Sequence, residues 1–252
     1  MNGIDISNNN GVIDWDGVEF VFIKATESTN FPDPDFARYR DEAEAHQVPW
    51  GAYHFAHPDQ HSAESEAAYF LAHAQKGPIP PALDFETRET GDSHIDPILV
   101  MGVAAAVRWI NTFCSIVQEA WGQTPYLYTF RSYAKLVWPF TSMWGRWLAT
   151  DSGAPGSFPS YANYPVDIEQ WGAVGGVDQD VAYTPLKPDN GPPPSSSQKD
   201  DHMDIVVLPD GTAVIAVVGT DSRVYLSHAT IPALDSGFVP IGNDHDVVRN
   251  PA

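Results

Sequence analysis

Short apolar runs alternate with longer segments whose apolar positions recur at helical spacing over roughly the first half of the chain. Gly3-Ile4-Asp5-Ile6-Ser7 predicts a short strand ending in polar residues. Gly17 to Ala25 carries Val18, Phe20, Val21, Phe22 and Ile23, the near-continuous apolar run of a strand covered on both faces. Residues 35–47 predict a helix opened by Asp33-Pro34, with the acid as candidate cap. Val48 to Phe55 predicts the third strand, and residues 61–76 an amphipathic helix with Ala67, Phe70, Leu71 and Ala74 inward. A fourth strand follows in Pro80 to Glu86. Residues 96–120 predict the longest helix, its inner face drawn from Leu99, Val103, Val107, Ile110, Phe113 and Val117. Pro125 to Phe130 predicts the fifth strand and residues 131–137 a short helix; strands at 146–150, 167–171 and 177–183 follow with no room for long helices.

This alternation predicts an α/β fold with a parallel sheet, and a parallel set of eight strands closes naturally into a barrel with its site at the carboxyl ends. Those ends carry Asp5, Lys24 to Glu27, Tyr53, His54, Asp84, Glu86, Tyr128, Asp151, Gln170, Trp171 and Asp178. Polar and aromatic groups at nearly every strand end point to one mouth.

Beyond the barrel, residues 188–202 (PDNGPPPSSSQKDDH) read as a linker, so domains are expected at 1–187 and 203–252. Residues 204–208, 212–218 and 223–228 predict an antiparallel meander, with Pro209-Asp210-Gly211 and Gly219-Thr220-Asp221-Ser222 as its turns and a fourth strand at 238–241. About fifty residues bury little, so this small all-β module is expected to dock, to self-associate or to join a larger sheet.

With 252 residues, 43% of them hydrophobic and eight tryptophans, the chain can bury a sizeable core. Its 33 acids against 13 bases, a formal charge of -20, argue against a nucleic acid partner or an anionic membrane surface. No apolar run reaches membrane-span length, and Met1-Asn2-Gly3-Ile4-Asp5 lacks the basic and hydrophobic regions of a signal peptide, so synthesis in the cytoplasm is expected. Cys114 stands alone, which excludes an intramolecular disulfide.

The candidate chemistry centres on Asp84 and Glu86. Side chains alternate along a strand, so two acids two residues apart look into the same space. Carboxyls held that close cannot ionise independently, and an apolar surround raises one of them, leaving a proton donor beside an anion. Glycosidic bond cleavage requires that division of labour. The bland reading is a solvated rim or a salt-bridge site.

Asp5-Ile6-Ser7, Phe22 to Glu27, Gly51-Ala52-Tyr53-His54-Phe55, Leu83-Asp84-Phe85-Glu86, Tyr128-Thr129, Gln170-Trp171 and Val177-Asp178 resemble, in order and spacing, the glycoside hydrolase family 25 lysozymes. The resemblance covers about residues 1–187. It implies a flattened TIM-like barrel of five strand-helix units closed by three further strands. It also implies cleavage of the β-1,4 bond between N-acetylmuramic acid and N-acetylglucosamine in peptidoglycan. Carried over by position, Glu86 is the general acid and Asp84 its partner, as nucleophile or as a stabiliser of the substrate's 2-acetamido group; Asp5 and Asp178 line the same mouth. Departures are Asp180, where Asn is common, and Trp171, where Tyr is; they are expected to affect sugar contacts and not the acid pair.

Tyr53, Tyr128 and Trp171 are candidate stacking groups for sugar, although strand-end aromatics are as often core. His54, Gln170, Lys24 and Glu27 are further candidate contacts, with Lys24 neutralising local acidity or pairing with Glu27. His54 and His57 near the acids raise a metal-hydrolase alternative, but they lack partners at ligand spacing, and no metal or cofactor is expected. The rival class is a glycan-binding structural protein without catalysis; a chitinase-like specificity is the neighbouring enzyme. With no export signal, the expected setting is an endolysin released by a separate pore. The module is expected to hold the cell wall or to self-associate, alone or with a shorter product starting at Met203 after the purine-codable Gln198-Lys199-Asp200.

Overall fold

The computed structural model describes residues 1–90 and 93–186, and in the C-terminal part four strands. The chain divides into two units, Met1–Gly191 and Pro192–Ala252.

The first unit is a closed barrel of eight strands: β1 (Asn2–Ile6), β2 (Phe20–Glu27), β3 (Trp50–Phe55), β4 (Ala82–Asp84), β5 (Tyr126–Phe130), β6 (Gly145–Ala149), β7 (Ile168–Val174) and β8 (Val177–Ala182). Neighbours from β1 to β7 pair in parallel, and β8 lies antiparallel between β7 and β1. Closure through an antiparallel last strand departs from the all-parallel ring expected, because β7 and β8 are joined by the tight turn at Gly175-Gly176, both with positive φ.

Helices cover the crossovers from β2 to β6: α1 (Phe36–Ala45), α2 (Ala63–His73), α3 (Pro97–Met101), α4 (Val103–Trp121) and α5 (Arg131–Val137). Among the described residues no helix is long and apolar enough to cross a membrane. The long helix expected over 96–120 is broken at Gly102, whose φ of 82° ends one helix and starts the next. Leu99 falls on the short first piece and is 83% exposed, so it is not part of the inner face, whereas Val107, Ile110, Phe113 and Val117 are buried. Asp33 does not cap α1 directly; its carboxylate takes the backbone N–H of Asn8 and of Asp35, tying the loop after β1 to the start of the helix.

The barrel interior is layered by the two-residue period of its strands. Phe20, Phe22, Ala82, Tyr126, Trp147, Ile168 and Ala182 fill the lower layers. Two residues further toward the rim the side chains become polar: Lys24 above Phe22, Asp84 above Ala82, Tyr128 above Tyr126, Gln170 above Ile168. On β1 the inward residue below Asp5 is Gly3, where a Cβ would lie 2.2 Å from the Phe20 ring. The glycine lets that phenyl plug the barrel floor.

In the second unit, β9 (Met203–Val207), β10 (Thr212–Val218), β11 (Arg223–Thr230) and β12 (Val239–Asn243) form an antiparallel sheet in chain order. The predicted linker at 188–202 and the turns at 209–211 and 219–222 lie outside the described residues.

Candidate active site

Asp5, Lys24, Tyr53, Asp84, Glu86, Tyr128, Gln170 and Asp178 come together around one cavity of about 170 Å³ at the rim, with Trp147 on its wall. Eight of the eleven residues singled out from the sequence therefore meet where expected. β4 ends at Asp84, and Phe85, fully buried, turns the chain outward so that Glu86 stands beyond the strand end over the same cavity. Hydrogen bonds from the backbone N–H of Ala56 to the carbonyl of Asp84 and from that of Phe85 to the carbonyl of Tyr128 hold this turn from both sides.

A chain of hydrogen bonds orients the floor. Tyr128 donates its hydroxyl to Gln170 Oε1 at 2.9 Å, and Gln170 Nε2 donates to Asp5 Oδ2 at 2.8 Å. Trp147 Nε1 donates to Asp180 Oδ1 at 2.9 Å, and the Asp180 carboxyl faces that of Asp5. Trp147 was not among the residues expected to shape the site, and Asp180 was expected only to affect sugar contacts. Because β8 runs antiparallel, Asp178 pairs with Asp5 at the rim and Asp180 with Gly3 one layer below, which sets Asp180 beneath the acid cluster.

Burial pushes Asp5 up to about 7, reinforced by the charge of Asp178. Glu86 is likewise raised to about 7 by burial, then by Asp178, while Lys24 opposes the shift. Asp84 goes well above the usual carboxylate range, from burial first and Glu86 second, and its Oδ1 is buried with no hydrogen-bond partner among the described residues. Both carboxyls of the expected acid pair are therefore raised, and where the proton sits is a property of the pair. Around neutral pH the two titrate as a pair.

The remaining three candidates lie elsewhere. His54 is fully buried between Thr26 Oγ1, 2.7 Å from Nδ1, and the fully buried Glu66, 2.8 Å from Nε2, and it stacks on Phe113. It is a packing residue and cannot touch a substrate. Glu27 reaches the cavity only through Lys24, whose Nζ is 2.5 Å from Oε2; its other oxygen is 3.0 Å from His57 Nε2. Burial raises Glu27, but these two partners outweigh it and hold it at about 2. Trp171 sits at a β-bulge between Gln170 and Gly172 and, as the neighbour of the inward Gln170, faces away from the barrel interior. It lines a separate groove of about 490 Å³ with Ile13, Val174 and Gln179.

Beside the cavity, a groove of about 600 Å³ shares Glu86, Tyr128 and Gln170 with it and continues past Arg131, Ser132 and Asp151. The floor of carboxyls thus opens sideways into a trough suited to a chain-like molecule. Glu169, fully buried, supports its rim by accepting hydrogen bonds from Thr150, Ser152 and the backbone of Phe158. Among the described residues no group of three or more His, Cys, Asp or Glu side chains is placed to hold a metal ion.

Paired carboxyls raised toward neutrality at the carboxyl end of a closed barrel, under an elongated trough, define a glycoside hydrolase site. Comparison with known proteins gives the family: the model for glycosyl hydrolases family 25 matches residues 4–169, and the chain belongs to that family of lysozymes. The chain is 28% identical over 204 residues to Lysozyme M1 of Streptomyces globisporus, a match covering 72% of this chain and 66% of that protein. It is 29% identical over 203 residues to an N,O-diacetylmuramidase of Arthroderma benhamiae, covering 71% of this chain and 84% of the relative. Among solved structures, the muramidase of Acremonium alcalophilum superposes with a TM-score of 0.62 at 25% identity, over 73% of this chain and 94% of the other.

Proposed function

We propose that this chain is a muramidase that hydrolyses the β-1,4 bond between N-acetylmuramic acid and N-acetylglucosamine in peptidoglycan, with retention of configuration. The observation that carries it is the meeting of Asp84 and Glu86 in one cavity with Asp5 and Asp178, with Glu86 titrating at about 7. The names of the relatives, lysozyme and muramidase, support the substrate.

In this reading Glu86, at the mouth of the cavity, gives its proton to the glycosidic oxygen as the bond to the anomeric carbon breaks. Asp84, beneath, carries charge once the site is filled, with Lys24 favouring its ionised form. It either bonds the anomeric carbon directly or holds the N–H of the substrate's own acetamido group while that group's oxygen does so. Water then adds at the same carbon, returning a proton to Glu86, and the configuration is retained by either route. Tyr128, Gln170 and Asp5 are fixed to one another and supply a rigid floor for the sugar. Release from a host cytoplasm through a separate pore, as for an endolysin, belongs to the same proposal.

The test is Glu86→Gln assayed on purified peptidoglycan, with mass analysis of the products. The variant should lose on the order of 10²- to 10⁴-fold in rate while keeping its unfolding temperature. The parent's fragments should end in reducing muramic acid. Fragments ending in reducing glucosamine would assign the other bond, and an active Glu86→Gln would remove Glu86 as the acid.

A further inference from the structure

Asp180 is 1% exposed, and its two oxygens have different surroundings: Oδ1 takes the indole N–H of Trp147, whereas Oδ2 is buried and has no conventional donor among the described residues. Its carboxyl faces that of Asp5, one strand away across the β1–β8 ladder, where Gly3 pairs with Asp180 and Asp5 with Asp178. Asp5 in turn takes an amide N–H from Gln170 on its Oδ2. Two carboxylates can accept but not donate, so a hydrogen bond between them requires that one carry a proton.

We propose that Asp5 and Asp180 hold a single shared proton at the floor of the cup, and that Asp180 is a positioning residue whose proton keeps Asp5 locked to Gln170 while the sugar is cut. This rests on the muramidase reading for its catalytic consequence, and on the geometry alone for the shared proton. The groups that face the pair are Asp178 from β8, Glu86 and Asp84 from the end of β4, the hydroxyls of Tyr53 and Tyr128, and Lys24, the cation lining the same cavity. The acids favour keeping the proton and the single lysine opposes it only from across the cup. Both carboxyls are displaced upward from the ordinary aspartate range, by burial first and by each other or Asp178 next. Loss of the proton leaves two adjacent anions joined to one ladder, and their repulsion must separate Asp5 from Gln170 and so loosen Tyr128.

Two measurements on the full chain decide it. Carbon-13 spectra of the aspartate carboxyls should show the pair losing one proton in the acid range and the second only above pH 7. Complete ionisation of both below pH 5 would overturn the shared proton. In kinetics, log kcat/KM of the parent should fall on the alkaline side with a two-proton slope, about a hundredfold per pH unit, one proton from Glu86 and one from the pair. Asp180→Asn, whose amide donates permanently to Asp5, should fall with a one-proton slope, about tenfold per unit. Superimposable alkaline limbs would remove Asp180 from the catalytic consequence. Should the variant fail to fold, the parent's carboxyl titration still decides the shared proton; should the parent be inert on peptidoglycan, it is the muramidase reading that fails.

Discussion

Asp5, Asp84, Glu86, Asp178 and Asp180 are all raised above the free carboxyl value, and for each the largest cause is burial. The folded protein therefore holds protons that the unfolded chain releases from about pH 4 upward. Their contribution to stability is complete below that pH and is lost as pH rises through about 7, where Asp5 and Glu86 titrate. The unfolding temperature measured by calorimetry should accordingly drop between pH 5 and pH 8, by on the order of 5–10 °C for a loss of a few kcal/mol. Trp171 gives a second expectation at this scale. It faces the outer groove, so Trp171→Ala should leave kcat/KM on soluble peptidoglycan fragments within about twofold, the range of a residue that makes no substrate contact. A loss of tenfold or more would place it back in the sugar path. Asp84 and Glu86 were legible in the sequence because a spacing of two on a strand fixes a common face. Trp171 was singled out by its place at a strand end alone, whereas the same alternation, applied from the inward Gln170, turns it outward. Asp180 shares a face with Asp178 by the same spacing of two, but its depth was not legible, because side-chain period is blind to strand direction.

Among elements, β3 and α2 are joined by a polar bridge inside apolar packing. His54 on β3 is fully buried, and burial pulls it below its usual range, so the ring is neutral. The α2 carboxylate of Glu66 accepts from it and from the backbone N–H of His57 at 3.0 Å. Removing one partner of such a bridge strands the other without water. Glu66→Ala should therefore cost about 1–3 kcal/mol for each donor it strands in denaturant unfolding, whereas activity per folded molecule should persist, because neither group borders the cavity. A variant as stable as the parent would mean that the bridge contributes nothing net. The order of elements and most of their bounds were readable from apolar periodicity. The break at Gly102 was not, because Leu99 continues the helical pattern into a segment that the glycine has turned out to solvent. The antiparallel closure by β8 was hidden likewise, although the Gly175-Gly176 pair, the positive-φ turn of a hairpin, is its signal in the sequence.

For the whole molecule, the formal charge of -20 weakens any attraction to anionic wall polymers, so retention on the wall has to come from shaped contacts. The second unit is a candidate for that role. If it holds the wall, residues 1–190 should pellet with purified cell walls less than the full chain does, and by tenfold or more if the sheet is the main anchor. Equal pelleting would leave self-association as the role to be tested by sedimentation.

The barrel closes by laying β8 against β1, so that Asn2 stands opposite Val181 and the amino group of Met1 reaches the carbonyl of Ala182. The catalytic unit is in effect a ring of chain whose seam holds Asp5 and Asp178 at its rim end and Met1 and Ala182 at its floor end. Its two ends can be spliced by a short connector and the ring cut instead in the exposed stretch around Ala154 and Gly156. Every rung of the ladder survives that operation, and the connector at the floor end becomes the point farthest along the ladder from Asp5 and Asp178 at which another protein can be joined.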